Sequence, residues 1–516
     1  MTVEWLRRLT VFVALAATAS LGAAQAPPSP AAVAKAVREY RLAHEQPIIQ
    51  ELVDLLAIPN IASDEANIRR NADLLKVMFE RRGFRVQFHE ISKRGPSVFA
   101  DLPAPGAART VVFYAHYDGQ PVDPKAWTGT APFEPGLRTG SIEAGGTLRP
   151  FPAAGIRYED DWRIYARSAS DDRSPIVAML AAVDALAASG IPRAVNLKVV
   201  LDSEEENGSP GLGPALAAHR DFVRGDVLIT GDGPVHQSGR PLVFYGNRGV
   251  LDLNLTVYGP ARGLHSGHYG NWAPNPAMRL AQLLSTFKDD NGRVVVEGFY
   301  DGIEPLRGEE QEMLDAVPDN PEQLKALFGI STAEDPQRSL QQGLQIPSFN
   351  VRGLSSAFVG ADARTIVPDR AVAAIDIRLV RETPADQMVE KVRAHLRKQG
   401  YHVVAVDPDD ATRARYSKIV KMDVRGDGTN AYRTSPLHPV SQQLSAAMTR
   451  VFGEPPVRIR TSGGTVPIAP FIEALGFPAI SVPTVNFDNN QHGENENLRL
   501  GHFLRGITII AAALTM

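Results

Sequence analysis

The chain has no cysteine among its 516 residues. This excludes a disulfide framework and a lipid-anchor cysteine, so the fold must be held by its core even in an oxidising compartment. It also limits any metal site to His, Asp and Glu ligands. An excess of one charge sign is missing as well. The formal net charge is −4 with acidic and basic residues interspersed, which leaves no footprint for nucleic acid or an anionic membrane surface. No apolar run reaches the roughly 20 residues of a membrane-spanning helix. Internal repeats and long low-complexity segments are absent too. What is present is a globular composition, 44% hydrophobic and 22% charged, in a chain long enough for two sizeable cores.

The N-terminus differs from the rest. MTVEWLRRL carries Arg7 and Arg8, LTVFVALAATASLGAA is apolar and small, and AQAPP follows. Basic, apolar and small-residue regions in that order predict a secretory signal over residues 1–26, cut after Ala24 or Ala26. The expectation is an exported protein, periplasmic or secreted, with no stable membrane anchor after signal removal.

Downstream, AVAKAVREYRLAHEQPIIQELVDLL and ANIRRNADLLKVMFERRGF have apolar residues at helical spacing. The short apolar runs TVVFYAHYD, NLKVVLDSEE and DVLITGDG then alternate with the helix-like PIVAMLAAVDALAASG. Strands separated by helices predict a mixed α/β sheet covered on both faces, with ligand sites at the carboxyl ends of its strands. From residue 247 the texture changes: LDLNLTVYG and AVAAIDIRLV alternate apolar and polar, as half-buried antiparallel strands do. With the helix candidates PEQLKALF and ADQMVEKVRAHLRKQGY, this reads as an inserted α+β domain. After residue 436 the first texture returns in SQQLSAAMTRVFG, FPAISVPTV and FLRGITIIAAALT.

Each apolar run of the first part ends in acidic or His residues. LDSEEENGSPG places Glu204, Glu205 and Glu206 where a strand ends. Alone, an acidic triplet is ordinarily a solvated turn; His116 could be a core histidine and Asp171 a helix N-cap. Taken together, His116, Asp118, Asp171, Glu205, Glu206, Asp232 and His492 contain the carboxylate and imidazole ligand types for two divalent ions. Two close cations need a shared carboxylate and acidic surroundings.

The ordered motifs FYAHYDGQPVD, YARSASDDRSP, DSEEENGS, ITGDGP, GLHSGHYGNWAPNP, RTIVP, IDIRLV, RTSGGTVP and NNQHGENE run from about residue 47 to the C-terminus. In them the chain resembles the M20 family of di-metal peptidases, within it the carnosinase-like dipeptidases. The resemblance implies a two-domain α/β metallopeptidase. Its mixed-sheet catalytic domain would comprise residues 27–246 and 436–516, and its lid and dimerisation domain residues 247–435. It implies one metal held by His116 and Asp232, another by Glu206 and His492, and Asp171 bridging the two. Asp118 would orient the imidazole of His116. Glu205 would be the general base, and Glu204 has no role beyond a solvated or structural one. His265 would stabilise the oxyanion, from the partner subunit in the carnosinase-like members. Arg378 would clamp the substrate carboxylate, with Thr365, Gly464 and Thr465 completing the contacts.

The family's GRG before and DKG or NKG after the bridging Asp are here ARSAS and DRSP, with Arg173 in place of Lys. The connection from Asp118 to Asp171 is long and Gly/Pro-rich, a surface loop near the site that would narrow the substrate range. The implied activity is amide hydrolysis of dipeptides or short peptides, with zinc in the site or manganese or cobalt in its place. The alternatives are an N-acyl-amino-acid deacylase of the same fold and a non-catalytic exported peptide- or metal-binding protein.

Overall fold

The computed structural model describes residues 29–92, 95–153, 155–466 and 468–516; the expected signal, residues 1–26, lies outside them. Eight strands form the larger sheet, in the order Arg85–Ser92, Gly95–Leu102, Val195–Asp202, Arg109–His116, Val227–Thr230, Ala479–Ser481, Leu242–Phe244 and Val457–Ile459. The four strands from Val195–Asp202 to Ala479–Ser481 run parallel. Their alternation explains why both faces must be covered. Val111, Phe113 and Ala115 point into one core and Val112 and Tyr114 into another. On the first face lie the helices Pro30–Leu56, Arg173–Ala188, Pro439–Phe452 and Leu500–Leu514. Arg173–Ala188 is buried almost all round, which is why its sequence shows little polar face. Leu212–Ala218 and Ala469–Leu475 cover the other face.

The smaller sheet has the order Ser348–Ser355, Arg370–Leu379, Gly249–Tyr258, Ile419–Thr429 and His402–Val404, antiparallel except for the last pair. Leu251, Leu253, Leu255, Ile375 and Ile377 pack on the helices Pro276–Leu284 and Ala385–Lys398, while the intervening residues face outward. This is a two-domain α/β architecture. Among the described residues no helix is long and apolar enough to cross a membrane.

Two long connections carry structure of their own. Within the long stretch after Asp118, Gly136–Arg138, Leu148–Arg149 and Arg163–Tyr165 join Asn497–Arg499 in a four-stranded sheet. Within it Arg138 donates to Thr128 O and Gly146 O, and the Arg149 guanidinium stacks on Trp162 at 3.5 Å. The second is the segment between Val296 and Pro347, in which Phe299 stays in the smaller sheet's core. Val317 packs on the apolar cluster Leu242, Phe244, Val457 and Ile459 at the edge of the larger one.

Candidate active site

His116 ends a parallel strand, Asp118 follows it, and Asp232 lies two residues beyond Thr230, the end of the next strand. Glu205 and Glu206 occupy the turn Glu205–Asn207 after Val195–Asp202. Asp171 precedes the helix Arg173–Ala188, and His492 lies in the loop before Asn497–Arg499. Strand ends thus bring together residues hundreds of positions apart, at the edge where open α/β sheets bind ligands.

The potential ligand atoms of His116, Asp171 and Asp232 lie within 4.8 Å of one another, as do those of Asp171, Glu206 and His492. Asp171 is common to both groups: its Oδ1 is 2.9 Å from His116 Nε2 and its Oδ2 3.1 Å from His492 Nε2. His492 Nε2 is also 3.5 Å from Glu206 Oε2. Glu205 belongs to neither group; its Oε2 stands 4.0 Å from His116 Nε2.

Burial dominates the electrostatics. Burial, then the charges of Asp232, Asp171 and Glu206, push the Glu205 carboxyl well above the usual range. Burial and Asp171 push Glu206 up to about 7 and Asp232 up to about 6. Burial would raise Asp171 too, but hydrogen bonds from His116 and His492 hold it well below the carboxylate range. Its hydrogen bond to Asp171, together with the Glu206 charge, raises His492 to about 9 despite partial burial. Such a cluster resists full ionisation unless cations compensate it. The donor set is oxygen and imidazole nitrogen with one carboxylate shared by two triads. These residues therefore fit a pair of hard-to-borderline divalent ions.

A supporting layer sets their directions. The Asp118 carboxylate accepts from the backbone N–H groups of Glu205 and Glu206, both at 3.1 Å, and faces His116 Nδ1 at 3.3 Å. Glu496, which sequence reasoning missed, is fully buried. It accepts from the N–H groups of Ser168, Ser170 and Asp171 at 2.9, 2.9 and 3.0 Å and from Arg167 at 2.8 Å. It pins the loop carrying Asp171, and the only signal was its place in NNQHGENE. Asn60, equally unforeseen, donates to Tyr117 O and Ser168 Oγ. The unusual Arg173 is fully buried yet well partnered, donating to the backbone oxygens of Tyr117, Ile58 and Leu55 and to Asn71 Oδ1. Glu204 is not solvated: it is buried and its Oε1 accepts from Gly211 N at 3.2 Å. The structural half of its expected role is the one found.

The remaining candidates lie on or beside the smaller sheet. Arg378 donates to Thr465 Oγ1 at 2.8 Å, so a strand of one sheet meets a loop of the other. Gly464 is exposed beside Thr465. His265 and Thr365 are also exposed; the His265 ring accepts from Gly267 N, and Thr365 O accepts from Ser266 N. Among the described residues neither hydrogen-bonds to the His116–His492 cluster.

Two linked sheets, with two triads sharing Asp171 at the parallel strand ends of the larger one, define a two-domain protein with a candidate dinuclear metal centre. Residues 112–516 match the model of peptidase family M20/M25/M40, and the chain belongs to that family. It is similar to the Cys-Gly metallodipeptidase of Schizosaccharomyces pombe, 26% identical over 89% of this chain and 93% of the relative. The Beta-Ala-His dipeptidase of Homo sapiens is 25% identical over 95% and 94%. Among solved structures, an M20 family metallo-carboxypeptidase of Sulfolobus solfataricus superposes with a TM-score of 0.74 at 28% identity, covering 91% of this chain and 98% of that one.

Proposed function

We propose that the protein is an exported metal-dependent dipeptidase, hydrolysing the amide bond of dipeptides or short peptides with a free C-terminal carboxylate. The observation that carries this is the placement of Glu205: half-buried beside His116, part of neither triad, with its carboxyl pushed well above the usual carboxylate range by burial. Two relatives of near-full-length coverage are dipeptidases by name, which supports the substrate class. Residues 247–435 serve as lid and dimerisation domain, and 27–246 with 436–516 as the catalytic domain.

His116 and Asp232 would hold one ion and Glu206 and His492 the other, with Asp171 common to both groups. Two divalent ions bound there, zinc or alternatively manganese or cobalt, would supply Lewis-acid polarisation and lower the pKa of the attacking water. Glu205 takes the proton of the attacking water and passes it to the leaving amine. Asp118 keeps His116 oriented and, through two backbone bonds, separates Glu205 from Glu206. Arg378 and Thr465 receive the substrate carboxylate, a bidentate task suited to guanidinium, with Thr365 and Gly464 beside them. His265, exposed on its own chain, serves a second copy: His265 of the partner subunit donates to the oxyanion.

The test is product release on a panel of dipeptides, tripeptides and N-acyl amino acids by the zinc-reconstituted protein, beside the chelated protein and Glu205→Gln. Metal-dependent release from dipeptides supports the proposal. Release from N-acyl compounds alone would make the protein a deacylase. No release from metal-loaded protein would leave a binding protein. N-terminal sequencing of the mature protein from its source tests export; an intact Met1 would count against it.

A further inference from the structure

The strap between Val296 and Pro347 carries a buried polar chain that links two loops of the candidate site. His236, four residues after Asp232, meets Asp319 Oδ1 at 2.9 Å through its Nε2. Asp319 Oδ2 accepts from Gln341 Nε2 at 2.9 Å, and Gln341 O accepts from Gln345 Nε2 at 3.1 Å. Gln345 Oε1 in turn accepts from Arg460 Nη1 at 2.9 Å, while Glu310 Oε1 stands 3.2 Å from Arg460 Nε. Arg460 is buried and lies four residues before Gly464. The approach is close. A Cβ built on Gly463 would lie 3.1 Å from Leu344 Cδ2, so a glycine there lets the strap helix Leu340–Leu344 seat against the loop. From the other side, backbone bonds between Ser462 and both Gly246 and Arg248 hold the same loop.

Among the described residues no hydrogen bond or ion pair joins the strap or Arg460 to the metal-ligand cluster, and burying such a polar chain is costly. We propose that Arg460 is a positioning residue. Clamped by Gln345 and Glu310, it fixes the 461–465 loop so that Thr465 stays bonded to Arg378 and the pair is ordered before the substrate carboxylate arrives. The gain is preorganisation: a small displacement of a binding group can cost on the order of 100-fold. This rests on the reading that Arg378 and Thr465 bind that carboxylate.

The experiment compares a good dipeptide with its C-terminal amide, measuring kcat, KM, metal content and Tm. Wild type comes first. If it does not prefer the free acid, the carboxylate reading fails independently of Arg460. Given that preference, Arg460→Met is expected to raise KM for the acid about 10- to 100-fold. Its kcat should stay within about threefold of wild type. KM for the amide and metal content should be unchanged. Arg460→Lys should recover part of the loss, and adding Gln345→Leu to Arg460→Met should cost nothing more. Equal rises for acid and amide, a fall in kcat alone, or wild-type kinetics would each overturn the proposal. Should Arg460→Met not fold, Gln345→Leu and Glu310→Gln carry the test. A threefold or larger KM rise confined to the acid, about 0.7 kcal/mol, supports it, and its absence in both variants overturns it.

Discussion

In the larger sheet both faces are covered by helices, and charged groups collect beyond the strand ends as a largely buried cluster that opens to solvent at His492. In the smaller sheet one face is open. There Asp252, Asp376 and Arg378 lie along the strands, only partly exposed. The two regions meet polar groups with different physics. Buried carboxylates have strongly shifted protonation and need partners or cations. Groups on an open face stay solvated and gain a function only when a second element reaches them, as the Thr465 loop reaches Arg378.

If that contrast is right, substitutions in the two regions should fail differently. Glu205→Gln, in the buried cluster, should lower kcat about 10²- to 10⁴-fold. Its metal content should be retained; metal loss on elemental analysis would mean Glu205 is a ligand. Arg378→Met, on the open face, should leave metal and Tm unchanged but raise KM for free-acid dipeptides by about 100-fold, near the cost of a lost charged hydrogen bond of about 1.5–3 kcal/mol. Steady-state kinetics on acid and amide check it. Glu496→Gln keeps the shape but weakens the anchor of the Asp171 loop, and should reduce metal affinity about 10- to 100-fold. Competition with a chelator of known affinity measures that, and unchanged affinity would show the loop holds without Glu496.

The smallest effect concerns His502, buried in the first turn of the helix Leu500–Leu514. Burial, then the charges of Arg505 and Arg499, hold its pKa down to about 4. The native state therefore stays unprotonated while the unfolded chain, at about 6.5, takes up a proton. Stability from this residue is full above about pH 6.5 and falls as pH drops toward 4. By pH 5 the loss is about 2 kcal/mol. His502→Gln should remove about that much of the difference in unfolding free energy between pH 7 and pH 5. Denaturant titrations at both values decide it.

Legibility followed length and locality. The helices and the long strands were readable because each repeats its period several times. Of FPAISVPTV only Ala479–Ser481 forms a strand, with Val485 in an isolated bridge to Pro234. The last two strands of the larger sheet, Leu242–Phe244 and Val457–Ile459, have three residues each and offer no period at all. Glu496 was invisible because its partners are backbone N–H groups some 325 to 328 positions away. The strap was read as part of the inserted domain; Phe299 packs in that domain's core, while Val317 further along packs on the other sheet.

The sequence by itself determined the ligand types, the absence of thiolates and the order of the motifs along the chain, since these are properties of residues and their neighbours. Only the tertiary structure decided what each of three consecutive glutamates does. Glu204 turns inward to Gly211, Glu205 stands beside His116, and Glu206 faces His492. The separation is made by Asp118, which binds two successive N–H groups of a turn 87 and 88 residues further on. A backbone held that way points neighbouring side chains apart, and no local pattern in EEE encodes it.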